Sequence, residues 1–153
     1  MTYTLQLRVI NDTPDVIALV EQTCWSGAGT IWSATNDATQ THFPDTQIHQ
    51  LQMDGSGSSG MLRFRASSSG TRFAVAVGVH NYKRWCDVQV DLADDQPLTR
   101  LHGAYYAEGD PKNAALWAQA SEAAGTEAQS GRQVRVAFYK SEGERLLAVV
   151  TYA

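Results

Sequence analysis

Along much of the chain apolar residues fall at every second position, the mark of strands with one face on a core and the other toward water. From Thr2 to Ile10, Tyr3, Leu5, Leu7 and Val9 share one face while Thr4, Gln6 and Arg8 share the other. Met61 to Ala66 sets Leu62, Phe64 and Ala66 against Arg63 and Arg65. Arg72 to His80 carries Phe73, Val75, Val77 and Val79 on one side and only Ala74, Ala76 and Gly78 on the other. That small-residue side predicts a second layer in close approach. Further strands are expected at Ile48 to Met53, Cys86 to Leu92, Leu98 to Tyr105, Arg132 to Tyr139 and Arg145 to Tyr152.

Turn residues separate these runs: Asp54 to Gly60, Ser67 to Gly70 and Ser141 to Glu144 are built from Gly, Ser, Asp and Glu. Short strands broken by such turns predict an antiparallel sandwich. One stretch departs from the period. Asp110 to Gly125 begins with an N-cap residue and Pro111 at N1, runs through alanines and Leu116, and ends at glycine, so it predicts a helix. Val16, Leu19 and Val20 also allow a helical turn over Asp15 to Gln22, with irregular chain as the alternative. Thr35 to Pro44 is polar and aperiodic and reads as a surface loop.

The 153 residues fit one domain, 1–153, and 43% apolar against 18% charged composition excludes a disordered chain. With 12 basic and 16 acidic residues and no basic run, nucleic acid is not an expected partner. No stretch reaches the roughly 18 apolar residues of a membrane span, and the first residues carry no basic leader with an apolar block. The reading is therefore a soluble cytoplasmic protein without membrane insertion. Cys24 and Cys86 are expected as free thiols, a pairing between them being left open by spacing.

His42, His49, His80 and His102 are scattered and none has the spacing of a helical zinc site, so no metal or other cofactor is expected. Paired carboxylates in a recognisable context and a nucleophile elbow are also missing, which argues against an enzyme and leaves no catalytic residue to name. Gly55 to Gly60 is either a hairpin tip or a loop whose open backbone groups and Ser56 and Ser58 hydroxyls suit a polar ligand. Sugars are such ligands: neutral, rich in hydroxyls, with an apolar C–H face that stacks on aromatic rings. The densest mixture of polar and aromatic side chains, His80 to Asp87, is natural in a binding loop, although Trp85, Lys83 and Arg84 have simple roles as a buried anchor and solvated cations.

At these residues the chain resembles the fungal fruit-body lectin family. The likeness rests on Asp54-Gly55-Ser56-Gly57-Ser58-Ser59-Gly60-Met61-Leu62-Arg63-Phe64 and on Gly78-Val79-His80-Asn81-Tyr82-Lys83-Arg84-Trp85-Cys86-Asp87. Thr2 to Thr4, Trp25 to Trp32, Tyr105-Tyr106 and Gly131-Arg132 support it. The resemblance implies a mainly β protein, an actinoporin-like antiparallel β-sandwich of two sheets with a helix-loop-helix connection, assembled as a homotetramer. It further implies a non-catalytic, defensive lectin that binds galactose and N-acetylgalactosamine glycans of the T-antigen disaccharide type. Carried across residue by residue, that sugar site is Ala28, Ser56, Gly57, His80, Asn81 and Tyr82.

The family's second site, for N-acetylglucosamine, maps to Asp87, Val88, Gln89, Val90 and Lys112. Here a threonine of the family is replaced by Val90, an arginine falls near Pro111 or Lys112, and a tyrosine falls near Glu122 or Ala124. Loss of those polar partners predicts a second site that is altered or absent. The alternative reading is a membrane-active, lipid-binding or pore-forming protein of the same fold. Such proteins need a detachable amphipathic N-terminal helix, and the strand pattern from Thr2 onward leaves none.

Overall fold

The computed structural model describes residues 1–25, 28–34, 40–41 and 45–153. Two sheets face each other. The first has the order β3-β5-β1-β11-β10-β9, where β1 is Tyr3–Asn11, β3 Ile31–Ala34, β5 Asp45–Met53, β9 Glu122–Thr126, β10 Gln133–Lys140 and β11 Arg145–Tyr152. The second has the order β4-β2-β6-β7-β8, from β2 (Ile17–Trp25), β4 (Gln40–Thr41), β6 (Ser58–Ala66), β7 (Arg72–His80) and β8 (Lys83–Gln89). All pairings are antiparallel except β1 with β11, where Leu5 lies beside Leu146 and Leu7 beside Ala148.

The expected alternation holds where it is strongest. Leu5, Leu7 and Val9 of β1 are fully buried and meet Val75, Val77 and Val79 of β7 in one intersheet core with Phe64, Phe73 and Tyr152. Each such aliphatic side chain stabilises the fold by about 1.5–3 kcal/mol through removal from water. The rings of Phe64, Phe73 and Tyr152 stack in sequence with centroids 5.3 and 5.0 Å apart. The opposite, small-residue side of β7 is covered as its composition predicts. Ala74 and Ala76 lie with Met61 and Trp85 under Leu98, Tyr105 and Leu116, the buried faces of two short helices.

Those helices, α1 (Leu98–Ala104) and α2 (Ala114–Ala118), form the helix-loop-helix connection, α2 being preceded by a 3-10 turn over Pro111–Asn113. Asp110 caps that turn, its carboxylate accepting from the Lys112 N–H at 2.9 Å. Three local expectations are corrected. Leu98 to Tyr105 is helix rather than strand, because Leu98, Leu101, His102 and Tyr105 recur at i, i+3, i+4 and i+7 and together face the sheet. Asp15 to Gln22 contains no helical turn: the chain enters β2 at Ile17, anchored by the Asp15 carboxylate, which accepts from Ser67 Oγ and the Ser68 N–H.

The third correction shortens the helix predicted over Asp110 to Gly125. It ends at Ala118, Gln119 turns left-handed at φ 47°, and Glu122–Thr126 joins β10 as an edge strand. Tertiary pairing overrides the helix preference of the alanines there. Gly125 is no helix stop but a contact point, since a Cβ on it would lie 2.9 Å from Val90 Cγ1. The loop expected over Thr35 to Pro44 lies largely outside the described residues, as does His42. Cys24 and Cys86 are both free, Cys24 exposed and Cys86 buried, and burial raises the Cys86 thiol to about 12.

Candidate functional site

Two turns lie side by side at one end of the second sheet, the tip of the β7–β8 hairpin and the β5–β6 connection, which crosses over from the first sheet. The β7–β8 hairpin pairs His80 with Lys83 and turns through Asn81 and Tyr82 alone, at φ 49° and 64°. A two-residue turn with both residues at positive φ matches the twist of the flanking strands, and asparagine is favoured in it while tyrosine is not. The β5–β6 connection runs through Asp54 to Gly57, with Gly57 at φ 88°, a conformation for which glycine is suited.

Hydrogen bonds lock the two turns together. The Gly57 N–H donates to the Val79 carbonyl at 2.8 Å, and the Tyr82 N–H donates to Ser56 Oγ at 2.9 Å. Asp54 ties in a third segment: its Oδ1 accepts from Ser58 Oγ at 3.0 Å and from Thr30 Oγ1 at 3.1 Å. Gly29 approaches so closely that a Cβ on it would stand 2.7 Å from Asp54 Cβ, which brings the exposed Ala28 to the same end. Ser56, Gly57, His80, Asn81 and Tyr82 thus share one surface with Ala28 beside it. Sequence reasoning passed over Asp54, whose only signal was its place at the head of the Asp-Gly turn.

Asn81 and Tyr82 are exposed, so an amide able both to donate and to accept and a phenol ring stand toward solvent on a fixed backbone. His80 is half-buried, its ring perpendicular to Trp117 at a centroid distance of 4.5 Å. Trp85 is wholly buried under the helices and Arg84 Nη1 donates to the Gln119 carbonyl at 2.6 Å. These two are structural. A cavity of about 520 Å³ opens beside the β7–β8 hairpin, rimmed by Tyr82, Lys83, Gln119, Ser141 and Glu142.

The second group of sequence-derived residues divides by strand parity. Asp87 and Gln89 point to the helix side, where Tyr105 is their common partner: its hydroxyl donates to Asp87 Oδ2 at 2.7 Å and accepts from Gln89 Nε2 at 2.9 Å. Lys112 Nζ stands 3.5 Å from the same carboxylate oxygen. Val88 and Val90 point the other way, Val88 into the intersheet core and Val90 packed against it. Burial, and then the negative charge of Asp87, push the Tyr105 phenol above its ordinary range, so it stays a neutral hydrogen-bonding hinge. Tyr105 was visible in sequence only as half of a tyrosine pair.

Ser59, His102 and Thr23 form a further polar chain. Ser59 Oγ is 2.8 Å from His102 Nε2 and 2.7 Å from Tyr106 Oη, and His102 Nδ1 is 2.7 Å from Thr23 Oγ1. Ser59 and His102 are wholly buried, and burial lowers the His102 pKa to about 4. The chain fastens α1 to β2 and β6. Among the described residues no group of three or more His, Cys, Asp or Glu side chains is placed to hold a metal ion.

The family model described as fungal fruit body lectin matches residues 1–150. The chain belongs to the fungal fruit body lectin family. Among the family's proteins, the lectin of Boletus edulis is 40% identical over 112 residues, 71% of this chain and 71% of that one. The crystal structure of the wild-type Xerocomus chrysenteron lectin superposes with a TM-score of 0.86 at 35% identity over all of both chains. The lipid-binding protein Nakanori shares the fold, with a TM-score of 0.66 over 99% of this chain and 71% of that one, at 9% identity.

As a fungal fruit body lectin the chain is a carbohydrate-binding protein. Its two joined turns have the chemistry for that task. They offer hydroxyl, amide and backbone groups without a buried charge, so a neutral hydroxyl-rich ligand meets partners at little desolvation cost.

Proposed function

We propose that this lectin recognises galactose- and N-acetylgalactosamine-type glycans, the T-antigen disaccharide in particular, at Ala28, Ser56, Gly57, His80, Asn81 and Tyr82. The observation that supports it is the pair of bonds from Gly57 to Val79 and from Tyr82 to Ser56, which fixes the exposed Asn81 amide beside the β5–β6 turn. A site held in place before the ligand arrives loses less entropy on binding. In this reading the chain is one domain, non-catalytic, held in the cytoplasm and defensive in role. Assembly into a homotetramer makes it multivalent and raises the effective concentration of each weak site.

The second, N-acetylglucosamine site is degenerate in this proposal. Asp87 and Gln89 are already engaged by Tyr105, and the two valines present no polar group to a ligand. A glycan array with the purified protein, followed by titration with the disaccharide and with N-acetylglucosamine, tests both parts. Selective disaccharide binding is expected. Binding of neither sugar overturns the specificity, and tight N-acetylglucosamine binding by a variant lacking Asn81 overturns the loss of the second site.

Membrane activity is disfavoured by the position of β1. It pairs along its length with β5 and β11 in the middle of its sheet, and Leu5, Leu7 and Val9 are fully buried, so releasing it would dismantle the core. No described helix is long and apolar enough to cross a bilayer. Leakage of liposomes on addition of the protein would reverse this judgement.

A further inference from the structure

Trp117 is the more exposed of the two tryptophans at the surface, 63% accessible against 36% for Trp25, and it stands against His80. Its neighbour Leu116 is buried in the helix-side core, which turns the indole outward. The helix that carries it is held at both ends. Asn113 Nδ2 donates to the Tyr105 carbonyl at 2.9 Å, and past the helix Gln119 Nε2 donates to the His80 carbonyl at 2.8 Å while the Gln119 carbonyl accepts from Arg84. His80 Nε2 is shielded from solvent and has no hydrogen-bond partner. The indole is therefore fixed against a site residue at its most exposed edge, with a large face left in water.

An apolar ring of this size held bare beside polar turns has the properties of a stacking platform. From this arrangement, and resting on the glycan-binding reading above, we infer that Trp117 takes the apolar C–H face of a sugar ring, or of the group attached to it, bound on the His80 side of the site. Tyr82, 74% exposed and next to Asn81 in the turn, adds a second exposed ring. The polar groups set which hydroxyls are read, and Trp117 sets how tightly the ring over them is held.

The test is calorimetric titration of the wild type and of Trp117→Ala and Trp117→Phe with two probes, the free T-antigen disaccharide and its phenyl glycoside. Aromatic contacts of this kind support a loss of roughly 3- to 10-fold in affinity for Trp117→Ala, with most affinity kept by Trp117→Phe. Loss with both probes places the stack on the disaccharide itself, and loss with the phenyl glycoside alone places it on the attached group. Either supports the inference. Unchanged affinity of Trp117→Ala for both probes overturns it while leaving the glycan site intact. Failure of the wild type to bind either probe removes the glycan reading and this inference with it. Thermal melting of the alanine variant within about 2 °C of the wild type, as expected for an exposed site, separates lost stacking from lost folding.

Discussion

The backbone N–H of Tyr82 donates to the side-chain oxygen of Ser56 across 2.9 Å, joining the β7–β8 hairpin to the β5–β6 crossover, 26 residues away in the chain. The bond lies on the protein surface, so water can replace Ser56 when it is removed. Ser56→Ala is expected to cost about 0.5–1.5 kcal/mol, a fall of roughly 1–6 °C in melting temperature. Its effect on glycan affinity should be the larger, because both turns lose their fixed spacing and the ligand loses a hydroxyl. Comparing melting curves with titrations of the same variant checks this, and equal affinity with a lowered melting point would remove Ser56 from the site.

Asn81 and Tyr82 occupy left-handed backbone, which costs a residue with a Cβ about 1 kcal/mol or more. Tyr82→Gly relieves that strain and, after the extra chain entropy of glycine, should raise stability by about 0.5–1 kcal/mol while weakening glycan binding. Asn81→Gly keeps the turn and removes only the amide, so folding persists and binding drops by at least about tenfold, as for an unmet hydrogen bond. Denaturant unfolding beside a glycan titration tells the two effects apart.

Gly78 sits where a Cβ would lie 2.5 Å from Ser59 Cβ and 2.6 Å from the Ser58 carbonyl oxygen. Those atoms belong to the adjoining strand and cannot move far. Gly78→Ala is expected to destabilise by about 1–3 kcal/mol through overpacking and to part β6 from β7 just behind the turns at Ser56 and Asn81. Urea unfolding at constant pH measures the loss, and an unchanged midpoint would show that the strands give way freely.

His102 predicts a pH dependence of stability. In the unfolded chain its imidazole takes a proton near pH 6.5, whereas in the folded protein burial holds the pKa at about 4. A lowered histidine pKa means the unfolded state binds the proton first. Its contribution is thus complete above pH 6.5 and is lost as the pH falls toward 4, by about 3 kcal/mol in total. His49, lowered by burial in the same direction, adds to the slope. Urea midpoints at pH 7.5, 5.5 and 4.5 should fall in that order, and an NMR titration that protonates folded His102 near pH 6 would refute the assignment.

The sandwich was legible because its central strands bury one face completely: Leu5, Leu7 and Val9 announce β1 with no help from context. The segments read wrongly are those whose period is ambiguous or whose state is imposed from outside. Leu98 to Tyr105 satisfies both strand and helix spacing, and only the apolar face of Ala74 and Ala76 beneath it selects the helix. Glu122 to Thr126 follows alanines that favour a helix, yet β10 supplies an edge that claims it. The two turns that meet at Ser56 and Tyr82 were legible as a pair of motifs, but Asp54, Tyr105 and Trp117 were not. Each acts through partners distant in sequence, and no local pattern marks a side chain whose importance lies in where a remote segment arrives.

The parallel register of Leu5 with Leu146 also governs how the protein is made. During synthesis β1 leaves the ribosome about 140 residues ahead of β11, one of its two flanking strands, a lag on the order of ten seconds or more at ordinary elongation rates. Until then the sheet ends in an open edge of alternating Leu and Val, the kind of template on which neighbouring nascent chains pair. Polyribosomes crowded with this message would hold many such edges at once, so the yield of lectin in a producing cell depends on how well those edges are shielded during translation.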